Sequence, residues 1–166
     1  MKFNKREIPS SGTGGGNLFL KIADGQSVTG VLRGENYEFY NKWVGGKSQL
    51  TTADDPEGKS RFRANFVTLE DGKFVPKIWE FGLTVYNQLA DMSEEYDLEK
   101  TKIKITRRGS GTDTVYMILP IVKEPIPAKV MKEIEAVELL HLQHKPQTKA
   151  EPPSFNPNDD DDEIPF

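Results

Sequence analysis

The sequence predicts a mainly β domain: a small antiparallel barrel of five strands with a helix between the third and fourth. Three observations lead there. Short β-branched and aromatic runs recur between turn residues, with an Asp-Gly hairpin signal at Asp71-Gly72. A stretch of helical spacing, Leu83, Tyr86, Leu89 and Met92, falls after the third main run. The flanks differ sharply in composition from the centre, so the folded part is bounded at about residues 18 to 142.

In order along the chain, residues 1–17 hold Ser10-Ser11-Gly12-Thr13-Gly14-Gly15-Gly16, the composition of a flexible arm. Gln26 to Arg33 reads as a strand, with Gly30 as a bulge or coiling point. Asn36 to Val44 is aromatic and reads either as a binding loop or as an extra core strand. Lys47 to Lys59, rich in Gly, Ser, Thr, Asp and Pro, reads as loop. Arg61 to Leu69 and Phe74 to Phe81 form a hairpin about Asp71-Gly72, and a helix follows over about 83–92. Lys102 to Arg108 alternates apolar and basic residues, and Thr114 to Val122 returns beside it. Pro127 opens a second helix to about 142, with Val130, Ile134 and Val137 in one stripe. Without the aromatic stretch the order is β-β-β-α-β-β. That is the order of the OB-fold, a five-stranded Greek-key barrel, here with an extra C-terminal helix. Residues 143–166 carry Pro146, Pro152, Pro153, Pro157 and Pro165 among polar residues and read as a disordered linker and tip.

Composition excludes several classes. The chain has 166 residues, no cysteine and two histidines, so neither a disulfide framework nor a thiolate or histidine metal cage is expected, and no cofactor. No apolar run reaches the roughly 18–20 residues of a membrane span, and the N-terminus has no apolar core of a secretory signal. The absence of cysteine suits a reducing cytoplasm. The net charge of −4 arises entirely beyond residue 142; residues 1–142 hold 20 basic and 20 acidic side chains. Gly46-Lys47-Ser48 and Gly58-Lys59-Ser60 end like phosphate loops, but Asn41 and Ala53 stand where the first glycine belongs. No nucleophile, paired-carboxylate or triad pattern stands out, so catalytic residues are not expected.

The informative set is aromatic and basic. Tyr37, Phe39, Tyr40 and Trp43 cluster with Lys42 and Lys47. Arg61, Arg63, Lys77 and Trp79 lie on the central hairpin, Arg33 ends the first strand, and Arg107 and Arg108 precede a glycine-rich loop. On an OB barrel these positions fall on the central strands and the binding loops. Bases stack on aromatic faces at about 1–3 kcal/mol each while Lys and Arg follow the phosphates. Alternation puts Phe62, Ala64 and Phe66 on one face, read as core, and Arg61, Arg63 and Asn65 on the other.

The chain closes with Asp159-Asp160-Asp161-Asp162-Glu163-Ile164-Pro165-Phe166. Acid runs are ordinarily solvated, but an apolar Ile-Pro-Phe end offers a ligand: Phe166 and its carboxylate suit an apolar pocket backed by a cation. In this tip, reached through a Pro-rich linker from an OB-like domain, the chain resembles the bacterial single-stranded DNA-binding proteins. Looser echoes are Trp79-Glu80-Phe81 before the helix and Lys102-Ile103-Lys104-Ile105. The Gly-rich arm, the Tyr37 to Trp43 stretch and the second helix depart from that pattern, as in a divergent, phage-encoded member. The resemblance implies non-enzymatic coating of single-stranded DNA and recruitment of replication, recombination or repair proteins by residues 159–166. The alternative is an adaptor or chaperone that uses the barrel for a protein partner, which the neutral body favours. Oligomeric state is left open by the sequence.

Overall fold

The structure is a computed structural model that describes residues 18–144. The expected arm 1–17 and most of the expected linker and tip, residues 145–166, lie outside the described residues.

Six strands form one antiparallel sheet: β1 (Ser27–Val44), β2 (Lys47–Thr51), β3 (Lys59–Glu70), β4 (Lys73–Gly82), β5 (Ile103–Arg108) and β6 (Val115–Pro120). Helix α1 (Leu83–Ser93) separates β4 from β5, and α2 (Ala128–Glu135) follows β6. The pairing path is β4-β3-β1-β5-β6, with β2 added on β1. The sheet is open, since no ladder joins β4 to β6 among the described residues. The five main strands and the helix position thus match the expected order, whereas the closing ladder of a barrel is not present.

The two stretches 26–33 and 36–44 are one strand of 18 residues. Its first half pairs with β5, its middle with β3, and its end turns at Gly45-Gly46 into β2. Both glycines have positive φ (59° and 80°), as a tight hairpin turn requires. Lys47 to Thr51, expected as loop, is therefore the return strand of a projecting hairpin. Only residues 52–58 make the turn, closed by the Asp55 N–H to the Thr52 carbonyl and the Gly58 N–H to the Asp55 carbonyl.

Gly30 is not the bulge. It pairs in register with Thr68, and a Cβ there would meet the Val67 carbonyl oxygen at 2.4 Å and the Phe66 ring at 2.6 Å. The glycine exists to let β3 and the Phe66 ring come close. The register shift falls between Arg33 and Tyr37, where Gly34 has φ +74°.

Alternation on β3 divides the molecule into two faces. Phe62, Ala64 and Phe66 point to the core, where Trp79, Phe81, Val85, Leu89, Ile103, Ile105 and Ile118 meet them beneath α1. Phe62 stacks on Tyr86 with centroids 4.2 Å apart. On the outer face Val31 and Val67 pack on Ile134 of α2. This helix, expected to reach residue 142, ends at Glu135. Beyond it, Asn65 draws the chain into an extended course: its amide donates to the Leu140 carbonyl (3.0 Å) and its oxygen accepts from the Leu140 N–H (2.8 Å). Tertiary hydrogen bonds on a buried side chain override the local helical periodicity.

Candidate nucleic-acid interface

Strand register sets the outer face residue by residue. Val31, Arg33, Tyr37, Phe39 and Asn41 of β1 stand opposite Val67, Asn65, Arg63, Arg61 and Lys59 of β3. Glu80 of β4 stands opposite Arg63. Along β3 this face is covered first by α2 at Val67 and then by residues 139–144 at Asn65 and Arg63. It lies open at Arg61 and Lys59, and the open end is a groove of about 550 Å³ lined by Asn41, Lys42, Trp43, Ser48, Glu57, Lys59, Arg61 and Glu80. A second hollow of about 580 Å³ continues it past Phe39, Arg63 and His144.

The sheet collects one part of the predicted set here. Trp43 stands at the edge of the groove, 72% exposed. Near it, the Lys42 ammonium lies 2.9 Å from Asp55. Arg61 reaches Glu80 at 3.8 Å and Arg63 reaches it at 2.9 Å, so one carboxylate holds two guanidiniums side by side. Lys47, at the hairpin turn, is exposed, and neither it nor Lys59 has an ion-pair partner among the described residues. Tyr37 and Phe39 stack at 5.8 Å, and the Arg63 guanidinium sits 5.1 Å from the Phe39 centroid.

The rest of the set lies in other surroundings. Trp79, expected to stack on a base, is a core residue only 2% exposed, in contact with Phe66 and Phe81. Register with Ala64 turns it inward, so its face is closed to any ligand. Lys77 shares Trp79's side of β4 and ion-pairs with Glu70 at 3.5 Å, away from Arg63. Phe39 is 7% exposed; its ring is covered by Tyr37, Arg63 and His144. Tyr40 is half-buried, and its hydroxyl donates to Glu38 at 3.1 Å. Arg33 is held by Glu99 at 3.1 Å. Arg107 donates to the Ile22 carbonyl at 2.9 Å and ties the N-terminal segment to β5. Arg108 is exposed, but β5 meets β1 only at Ser27 to Gly30, the strand's opposite end from Trp43.

Sequence reasoning missed Asn41, Ser48, Lys59, Glu80 and His144. Lys59 was legible, since it continues the Arg63, Arg61 alternation backwards by two. Glu80 was legible from the hairpin register about Asp71-Gly72. His144 carries no local signal: it was assigned to the linker, and only the course of residues 139–144 brings it to Phe39.

Protonation follows the same geometry. Hydrogen bonds from Thr51, Lys42 and the Glu57 N–H hold the Asp55 carboxyl down to about 2, and Asp55 in return raises the Lys42 ammonium. Burial, reinforced by the Arg63 charge, lowers His144 below the usual imidazole value. Both effects favour a charged clasp at the hairpin and a neutral imidazole in the hollow at pH 7.

Among the described residues no cluster of three or more histidines and carboxylates is placed to hold a metal ion, and no helix is long and apolar enough to cross a membrane. No protein-family model, no curated protein and no solved structure matches the chain.

Proposed function

We propose that this protein binds single-stranded DNA with little sequence preference, on an OB-like sheet whose outer strand face is the binding surface. One observation carries the reading. An indole 72% exposed overhangs a groove lined by Lys42, Lys59 and Arg61, with Lys47 at the turn of the same hairpin. An exposed aromatic beside a row of cations is the chemistry of sequence-tolerant single-strand binding: a base stacks on the ring while phosphates meet the cations. The order of the five main strands and the helix between β4 and β5 support an OB-like reading of this open sheet. The action is non-enzymatic coating, with residues 159–166 presenting an acidic, Phe-terminated ligand to replication, recombination or repair proteins.

A second reading, an adaptor that takes a protein partner in the same groove, is favoured by Glu57 and Glu80, which stand among the cations. Titration of fluorescent oligo-dT with the full chain at low and high salt separates the two. Saturable binding that weakens as salt rises supports the DNA reading. No detectable binding at low salt sinks it and leaves the adaptor.

A further inference from the structure

Leu139 to His144 cross the outer face between α2 and the open groove. The Leu139 side chain lies against Gly34, where an added Cβ would stand 2.9 Å from its Cδ1. Leu140 is gripped by Asn65 through both its N–H and its carbonyl. From that anchor the chain runs to the hollow. Arg63 donates to the Leu142 carbonyl at 3.0 Å and to His144 Nε2 at 3.0 Å. The imidazole meets the Phe39 ring edge-on, with centroids 4.5 Å apart. Arginine can only donate, so Nε2 is the acceptor and the neutral ring carries its proton on Nδ1, which faces the Tyr37 hydroxyl at 3.4 Å.

A heteroaromatic ring meets Phe39 edge-on and accepts a hydrogen bond from an arginine. With the imidazole displaced, the same Phe39 ring and Arg63 guanidinium would offer a nucleobase a stacking surface and a hydrogen-bond donor. The occupant is held by few bonds, each worth little net in a half-exposed setting. It also belongs to no helix or strand. We infer that Leu142 to His144 is a displaceable strap that stands in for a nucleobase at Phe39 and Arg63, so that strap docking and entry of a single strand into this hollow exclude each other. The inference rests on the DNA-binding reading above and extends the bound strand from the open groove into the second hollow, past Arg63.

Protonation biases the same contact. The groups facing the imidazole are Arg63 on β3, Tyr37 and Phe39 on β1, and Glu80 on β4. Adding a proton to Nε2 removes its acceptor and sets a second cation against Arg63. Because burial and Arg63 lower the docked imidazole's pKa, docking is fully favoured above the free imidazole value of about 6.5. It weakens as pH falls below that value. Acid therefore opens the hollow.

The test uses the full chain and fluorescent oligo-dT at low salt. His144→Ala is expected to tighten binding by about 3- to 10-fold, the worth of one or two half-exposed hydrogen bonds. It should also abolish the part of the wild-type gain in affinity that appears between pH 7.5 and 5.5. Weaker binding by His144→Ala makes the imidazole a DNA contact and overturns displacement. Equal affinity in wild type and His144→Ala overturns it as well while leaving the DNA reading intact. If no form binds, both readings fall together.

Discussion

The two tryptophans separate stability from binding at the scale of one residue. Trp43 keeps most of its surface in water (72% exposed) and Trp79 has lost almost all of its own (2% exposed). Trp43→Ala should leave the melting temperature within error and weaken oligo-dT binding by about 1–3 kcal/mol, the stacking of one base. An unchanged Kd would remove the indole from the interface. Trp79→Ala should instead cost about 3–5 kcal/mol of stability, as large core truncations do, with affinity falling only as the folded fraction falls. Its indole N–H is buried without a hydrogen-bond partner, so Trp79→Phe should be much milder than Trp79→Ala. Glu80 acts in the other direction. Its carboxylate holds Arg61 and Arg63, and a phosphate must compete for the same guanidiniums. Glu80→Gln should tighten oligo-dT by about 2- to 5-fold, in line with the worth of partly exposed ion pairs. Weaker binding would instead mark Glu80 as an organiser of the arginines.

At the scale of elements, β1 explains most of what the sequence showed and hid. Its aromatic second half has strand composition, but whether it pairs in the core or projects depends on Gly45-Gly46 and on the return strand Lys47–Thr51. That return strand is too polar to announce itself, because it faces solvent on an arm rather than a core. Gly30 was legible as special and misread as to cause: the backbone approaches Val67 closely there, while the register breaks at Gly34. Gly30→Ala should therefore destabilise the domain by about 1–3 kcal/mol through overpacking against Phe66. A denaturant midpoint equal to wild type would show that the strands can separate to admit the methyl group. The second helix was legible at its start, where Pro127 precedes the first turn, but not at its end. No glycine follows its last turn, and the chain beyond it is held by Asn65, on the strand whose Val67 the helix covers.

For the whole molecule, charge arrangement outweighs charge total. A body with equal numbers of acids and bases still presents Lys42, Lys47, Lys59 and Arg61 together, because Asp55 and Glu80 each engage cations while Lys47 and Lys59 stay without ion-pair partners among the described residues. If those four meet phosphates, log Kobs against log salt should fall with a slope of about −3, from roughly 0.7 per contact on single strands. A slope near zero would mean that stacking alone holds the strand. Removing residues 159–166 should tighten oligo-dT binding at low salt and matter little at high salt, because a polyanionic segment competes for the same cations and is screened. Equal affinity at every salt concentration would exclude that competition.

The sequence by itself determined most of the elements: the five main strand runs, the Asp71-Gly72 hairpin, the helix after β4 and the inward face of β3. These are set by period and turn chemistry within a few residues of each other. It also displayed the Ile-Pro-Phe tip, on which the proposed recruitment of partners rests. Only the tertiary structure decided which of two similar residues faces water. Trp43 and Trp79 have similar aromatic neighbours in sequence and opposite fates, because strand register across three strands turns one outward on a hairpin and the other toward Phe66. It also decided that His144 lies against Phe39, through the anchor between Asn65 and Leu140, residues 75 apart in sequence. Contacts of that separation leave no local pattern to read.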